Sequence, residues 1–163
     1  MRVTRSGQVE RSVGIFKVDQ NVVVDRPVEA IFAFLSNIEN WAQVQPALRE
    51  SEGGSPRAPM EVGSTFRQTL DIPGRQVELL GTVTGYELDE RLSFDYSWDN
   101  LSLDLSFIFE PLDSGTLLTA RGVGSLGGLL VLFEQLVSGE INAQLKRSLE
   151  DVKYRLESEP DVE

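Results

Sequence analysis

The chain has 163 residues, of which 40% are hydrophobic, and this length and composition fit one globular domain with a core of its own. It contains neither cysteine nor histidine, which excludes disulfides, thiol nucleophiles, the common zinc sites and any imidazole base. The 26 acidic residues exceed the 15 basic ones and give a formal net charge of −11, which argues against nucleic acid or an anionic lipid surface as a partner.

The two ends of the chain are predicted to lie outside its folded domain. Residues 1–15 begin with a polar stretch that lacks the apolar segment of a secretory signal, and we interpret them as a flexible N-terminal segment. Residues 158–163 contain Pro160 and several carboxylates, and we interpret them as an acidic C-terminal tail. The most apolar run, residues 123–137, is shorter than the roughly 20 residues of a membrane span, so we expect no transmembrane segment and a cytoplasmic location.

The first third of the chain predicts a strand followed by two short helices. Residues 16–25 alternate between apolar and polar side chains, as a half-buried strand does. Pro27 suits a first helical turn, and the apolar residues after it are spaced for a short amphipathic helix that Asp25 can cap. Residues 36–44 begin with capping residue types and carry apolar residues at helical spacing, so we expect a second short helix that Pro46 ends.

The middle of the chain predicts about six strands joined by short turns. The candidate strands are residues 47–54, which are weak and polar, and residues 62–72, 75–88, 91–98, 101–110 and 116–123. The clearest alternation lies in 101–110, and Gly81 and Gly85 favour a bulge or a sharp bend where the sheet curls. Each strand has one apolar face and one polar face, so one side of the sheet needs a cover.

Residues 128–156 predict one long amphipathic helix, because their apolar residues recur mostly three or four positions apart. At about 1.5 Å per residue this helix would be about 40 Å long and would need an equally long apolar surface opposite it. The predicted fold class is therefore α+β, with a curved antiparallel sheet of about six to seven strands wrapped around a long C-terminal helix. We expect a cavity lined by apolar side chains where the helix does not fill the curve.

Two stretches resemble the START-like superfamily, also called SRPBCC, which has the helix-grip fold. NVVVDRPVEAIFAFLSNIENWAQVQPAL is similar to the family's strand, proline-initiated helix and aromatic-bearing second helix, and SLGGLLVLFEQLV is similar to the glycine-rich opening of its terminal helix. The chain looks most like the polyketide cyclase/dehydrase branch, whose members range from cyclases to carriers. The resemblance implies a single START-like domain over residues 16–157, and no cofactor or metal is expected.

The polar residues expected inside the cavity suit recognition better than proton transfer, and we assign no catalytic residue. Strand parity predicts that four charged residues lie on the outer, solvated face: Arg67, Glu78, Asp95 and Asp104. The inner polar groups are those of Gln20, Ser64, Gln68, Tyr96 and Trp98. The side of Arg121 stays open because both faces of its strand are mixed, and an inward guanidinium would favour a ligand carboxylate or phenolate. Trp41 either anchors the second short helix or gates the cavity.

Twelve residues are predicted to line the cavity: Phe66, Gln68, Leu79, Phe94, Tyr96, Trp98, Leu103, Leu105, Phe107, Arg121, Phe133 and Val137. The function expected first is binding or transport of a hydrophobic or aromatic small molecule, such as a lipid, an isoprenoid or a polyketide-like compound. One alternative is an enzyme of the polyketide cyclase or dehydrase type, and another is a protein-interaction module resembling a START-like chaperone activator. A homodimer is left open.

Overall fold

The computed structural model of the chain describes residues 13–44, 48–52, 60–72 and 75–159, which form seven strands, two α-helices and two short 3₁₀ helices. The strands are β1 (Val13–Val24), β2 (Leu48–Glu52), β3 (Thr65–Ile72), β4 (Arg75–Glu87), β5 (Arg91–Trp98), β6 (Leu101–Pro111) and β7 (Thr116–Gly127). The α-helices are α1 (Val28–Leu35) and α2 (Glu134–Glu157), and the 3₁₀ helices are Ile38–Gln43 and Gly128–Phe133.

The seven strands form one antiparallel sheet in the order β1-β7-β6-β5-β4-β3-β2. Strands β2 to β7 follow one another as a meander, and β1 pairs with β7 at the far edge. The sheet curves around α2, with α1 and the first 3₁₀ helix inserted after β1. This architecture confirms the predicted α+β class and its helix-grip arrangement.

Alternation along the strands creates the core. In β6, Leu101, Leu103 and Leu105 are buried, whereas Asp104 between them is exposed. Because a strand turns successive side chains to opposite faces, the apolar set meets the helices and the polar set meets solvent. The buried helical residues that cover the sheet are Ile31, Phe32, Phe34 and Leu35 of α1 and Leu149, Val152 and Leu156 of α2.

Two glycines of β4 meet different structural needs. The register of β4 against β5 shifts between Val83 and Gly85, an irregularity of the bulge type that the sequence predicts at Gly85. Gly81 keeps its register with both neighbouring strands. A Cβ at this position would lie 2.3 Å from Cζ of Phe66, so only glycine allows that ring to lie over the backbone of β4.

The two short helices are present, but their ends differ from the prediction. Pro27 occupies the N-cap of α1 and no side chain caps this end, so the predicted cap by Asp25 is wrong. The backbone N–H of Asp25 instead donates to Oε2 of Glu157 at 2.7 Å, which ties this turn to the end of α2. The second short helix is 3₁₀ rather than α, and Asn37 caps it by accepting from the backbone N–H of Glu39.

The terminal helix begins later than the sequence predicts. A 3₁₀ helix starts at Gly128, whose φ of 60° lies in the left-handed region that glycine tolerates best, and α2 begins only at Glu134. The apolar spacing of this opening segment is not matched by an opposing surface, because Leu129 and Leu132 are 73% and 76% exposed. The apolar periodicity thus predicted a buried helical face in residues 128–133, which instead form the 3₁₀ segment that precedes α2.

The depth of packing increases along α2. Val137, Ile141 and Leu145 in its first half are half-buried, whereas Leu149 and Val152 in its second half are each only 2% exposed. The second half therefore packs more closely against the sheet than the first half, which leaves unfilled space beneath it.

Side chains of α2 cover the outer edge of β1. Oδ1 of Asn142 accepts from the backbone N–H of Asp19 at 3.2 Å, and its Nδ2 donates to the carbonyl of Lys17 at 3.1 Å. Nζ of Lys153 donates to the carbonyl of Val23 at 2.8 Å. These bonds satisfy edge groups that would otherwise be open to pairing with another chain.

The folded part extends further toward the N-terminus than predicted. Val13 pairs with Gly127, so residues 13–15, predicted to be flexible, belong to β1. The rest of that segment, residues 1–12, and residues 160–163 of the predicted tail lie outside the described residues. In the part of the chain that the structure describes, no helix combines the length and the apolar character needed to cross a membrane.

Candidate functional site

A cavity of about 550 Å³ lies between the concave face of the sheet and α2. Strands β3 to β6 supply its wall, α2 lies across it, and Leu35, Trp41 and Val44 from the short helices and the turn after them complete the lining. Most of the lining is apolar. Small-molecule sites in proteins typically occupy roughly 300–1,000 Å³ and are lined in this way.

Eight of the twelve residues that the sequence predicts for the cavity do line it. They are Gln68, Leu79, Tyr96, Trp98, Leu103, Leu105, Phe107 and Val137. Strand parity explains this agreement, because the alternating faces of β3 to β6 were read correctly from the sequence. Contact of these residues with a ligand stays a prediction.

Phe66 and Phe94 were also predicted to line the cavity, but they lie behind its wall. They are 5% and 1% exposed, and the ring of Trp41 packs edge-on against both, with centroids 5.5 and 5.1 Å away. Nε1 of Trp41 donates to the carbonyl of Leu35 at 2.9 Å, so the indole is fixed in place. Trp41 therefore anchors the first 3₁₀ helix and separates the two phenylalanines from the cavity.

Arg121 and Phe133 lie outside the cavity. Strand β7 turns Leu118 and Ala120 into the core, so Arg121 points outward, and its Nε lies 3.5 Å from Oδ2 of Asp19 on β1. Its guanidinium therefore faces solvent rather than a ligand, which answers the question that the mixed strand left open. Phe133 ends the second 3₁₀ helix and is 53% exposed.

Sequence reasoning missed a polar row on α2 and the contribution of the short helices. The polar row consists of Glu140, Gln144 and Ser148, which are four residues apart and so lie on one helical face. That spacing was visible in the sequence. The other missed lining residues are apolar: Leu35, Trp41, Val44, Leu70, Val77, Leu136, Ile141, Leu145, Leu149 and Val152.

Three polar side chains of the lining differ in burial, hydrogen bonding and charge, and these properties bear on the kind of ligand that fits. Gln68 is 1% exposed, and its Nε2 has no hydrogen-bond partner among the described residues. Burial raises the pKa of Tyr96 far above its ordinary value of 10.0, so its hydroxyl stays protonated at neutral pH. The side chain of Glu140 is 66% exposed, and its Oε2 lies 3.7 Å from Nη2 of Arg147. The interior wall thus offers neutral hydrogen-bonding groups, and the carboxylate remains in contact with solvent.

Comparison with known proteins identifies the family. The family model for "Polyketide cyclase / dehydrase and lipid transport" matches residues 16–157. The protein TTHA0849 from Thermus thermophilus superposes with a TM-score of 0.73 at 15% identity, covering 87% of this chain and 97% of that one. The di-domain ARO/CYC StfQ from the steffimycin biosynthetic pathway gives a TM-score of 0.71 at 14% identity, covering 86% of this chain and 50% of that one.

A relative in sequence is the "Penitrem biosynthesis cluster 1 protein I" of Penicillium ochrochloron, which is 23% identical over 103 residues. That match covers 60% of this chain and 67% of the relative. The solved structures are similar to this chain in fold, and the family model covers most of its length. The chain therefore belongs to the polyketide cyclase/dehydrase and lipid transport family and has the helix-grip fold of the START-like superfamily.

Proposed function

We propose that the protein binds a hydrophobic or aromatic small molecule, such as a lipid, an isoprenoid or a polyketide-like compound, in the cavity between the sheet and α2. The observation that carries this proposal is the cavity of about 550 Å³ with a mostly apolar lining. Apolar burial supplies the driving force, at about 2.5 kcal/mol for each 100 Å² of apolar ligand surface removed from water. Part of that gain offsets the lost freedom of the ligand.

An enzymatic role of the cyclase or dehydrase type is the second candidate, and the position of Tyr96 favours it. A protonated phenol in the cavity can donate a hydrogen bond to a substrate oxygen and so stabilise negative charge that develops there. It is a poor base at neutral pH, because its raised pKa keeps it protonated. The other ionisable lining residue among those described, Glu140, is largely solvated, so the binding role has the stronger support.

Filling the cavity from α2 tests the binding role. Ile141 lines the cavity on a half-buried helical position, so Ile141→Trp places a large ring in the ligand's space with little demand on the core. We expect the wild-type chain to bind the neutral fluorophore N-phenyl-1-naphthylamine and the variant to bind it at least about tenfold more weakly, a loss of about 1.4 kcal/mol. Fluorescence titration measures both affinities.

Lys146→Trp is the matched control, because it adds the same ring to the exposed face of the same helix. Its affinity for the fluorophore should equal that of the wild type, and circular dichroism should show all three chains folded. A wild-type chain that binds neither the fluorophore nor any lipid in native mass spectrometry would contradict the proposed function. Equal binding by wild type and Ile141→Trp would contradict the proposed location.

A further inference from the structure

Gln68 is a buried amide in a wall that is otherwise apolar. It lies in the middle of β3, and its neighbours on the same face are Phe66 and Leu70. Its Nε2 has no hydrogen-bond partner among the described residues. An amide left unpaired in this way destabilises the folded chain, and a leucine of similar size would avoid that penalty. The cavity therefore keeps a polar group at this point at the expense of stability.

Tyr96 brings a second polar group to the same part of the wall. Phe66, Gly81 and Tyr96 lie opposite one another across β3, β4 and β5. Because Gly81 has no side chain, the rings of Phe66 and Tyr96 approach to 5.9 Å between centroids. The Phe66 ring thus lies over Gly81 and reaches Tyr96, which lines the cavity together with Gln68. The hydroxyl of Tyr96 is a donor, since the phenol stays protonated.

The charges around the cavity disfavour an ionised ligand. Among the described lining residues Glu140 alone carries a charge, and this carboxylate would repel a ligand carboxylate. The guanidinium of Arg121, which could have paired with such a group, lies on the outer face beside Asp19. Burying a carboxylate without a cation is strongly unfavourable. A neutral ligand oxygen incurs no such cost and can accept a hydrogen bond from a neutral donor of the lining.

We infer that the cavity selects an uncharged ligand with a carbonyl-type oxygen, as in a ketone, quinone or amide, and that the side-chain amide of Gln68, whose Nε2 is enclosed and unpaired among the described residues, turns toward this oxygen and donates a hydrogen bond to it. The hydroxyl of Tyr96 is the second donor on that wall. This inference rests on the proposed function, because it names the class of ligand for the same cavity. The apolar lining supplies most of the affinity, and Gln68 distinguishes between ligands of equal length that differ in their polar group.

Three probes with the same chain length separate the contributions: dodecane, 2-dodecanone and dodecanoate at pH 8. Each competes with N-phenyl-1-naphthylamine for the wild-type chain. We expect 2-dodecanone to bind about 3- to 10-fold more tightly than dodecane, as one net hydrogen bond predicts. Dodecanoate should bind more weakly than the ketone, because the described lining offers no cationic side chain to pair with its carboxylate.

The variant Gln68→Leu should abolish the preference for the ketone and leave the affinity for dodecane unchanged or slightly higher. Gln135→Leu is the matched control, since it removes an amide from an exposed position of α2 that does not line the cavity. This control should keep the preference. Gln68→Met repeats the test if the leucine variant does not fold.

The outcomes distinguish this inference from the proposed function. If the wild-type chain binds none of the probes, including dodecane and the fluorophore, both are overturned. If dodecane and 2-dodecanone bind equally, if dodecanoate binds as tightly as the ketone, or if Gln68→Leu retains the preference, this inference is overturned and the proposed function stands.

Discussion

On the outer face of the sheet, Asp95 and Asp104 lie directly opposite each other on β5 and β6. Partial desolvation, and then repulsion and hydrogen bonding with Asp104, raise the pKa of Asp95 above its ordinary value. The residues next to this pair on β4 and β7 are Thr82 and Val123, which are uncharged. The two carboxylates therefore repel each other at neutral pH and destabilise this part of the sheet.

The sign of the pH dependence follows from the raised pKa. Between the ordinary pKa of Asp95 and its raised folded value, the unfolded chain loses its proton first, so stability falls as the pH rises through this window. Asp104→Asn should therefore raise the free energy of unfolding at pH 7 by about 0.2–1 kcal/mol, the range for like charges directly opposite. The gain should shrink toward pH 3 and in high salt.

Urea denaturation across this pH range measures the effect. Glu110→Gln serves as the control, because it removes the same charge from an exposed position of the same strand, where its partner is Leu117. An equal gain from both variants would assign the effect to the overall charge of −11 rather than to the aspartate pair.

Which face a residue occupies was predictable where the alternation is strong and unpredictable where it is not. The outward positions of Asp95 and Asp104 follow from the strict alternation of their strands. The side of Arg121 did not follow, because both Thr119 and Ala120 of β7 are buried and the pattern there is mixed. Strand parity also does not show whether an inward side chain reaches the cavity. Phe94 does not line it, because the ring of Trp41, from another element, packs against it.

Among the elements, the contact between α2 and the edge of β1 depends strongly on one residue. Asn142 supplies both an acceptor and a donor to the backbone of β1, as a neighbouring strand would. Asn142→Ser should lower the free energy of unfolding by about 1 kcal/mol, because serine has a similar helix propensity and is too short to make both bonds. Urea denaturation at fixed pH gives the difference.

The exposed edge should also favour self-association of this variant, which sedimentation velocity detects as a larger species at high concentration. Gln135→Ser, on the exposed face of the same helix, should change stability by less than about 0.5 kcal/mol and leave the sedimentation profile unchanged. If Asn142→Ser behaves like this control, the edge is held by packing rather than by these bonds.

The existence and type of the elements were largely predictable because their periodicities differ. Strand β5 was predicted with the bounds that it has, since turn residues border a clear alternation on both sides. The opening of the terminal helix was not, because helical spacing in residues 128–133 says nothing about whether a surface faces the stripe. The 3₁₀ geometry of residues 38–43 likewise shares its apolar spacing with an α-helix.

For the whole molecule, the gradient of packing along α2 predicts a gradient of stability. The second half of the helix is held by buried residues such as Leu149 and Val152, and the first half lies over the cavity. We expect backbone amides of residues 138–145 to exchange with solvent at least about tenfold faster than those of residues 149–156. Hydrogen exchange followed by mass spectrometry resolves the two segments.

A cavity ligand should slow exchange more in residues 138–145 than in residues 149–156, because most of the lining residues of α2 lie in its less tightly packed first half. The ligand-free Ile141→Trp variant provides an internal check, since its added ring should produce the same local protection. Uniform protection along α2 would contradict the gradient.

The presence of a space between sheet and helix was predictable at this scale, but its volume was not. Amphipathic strands and one long amphipathic helix predict that the two surfaces meet. How far they stay apart depends on packing between distant residues, such as the contact of Phe66 with Tyr96 over Gly81.

Because of that contact, the volume of the cavity depends in part on the absence of a side chain at Gly81. Because Gly81 has no side chain, the ring of Phe66 can lie over the backbone of β4 and contact the ring of Tyr96. A larger residue at position 81 would therefore change the shape of the cavity, although Gly81 is not one of its lining residues. Such a substitution would displace the Phe66 ring that contacts Tyr96, so the shape of the cavity and the position of the Tyr96 hydroxyl would change together.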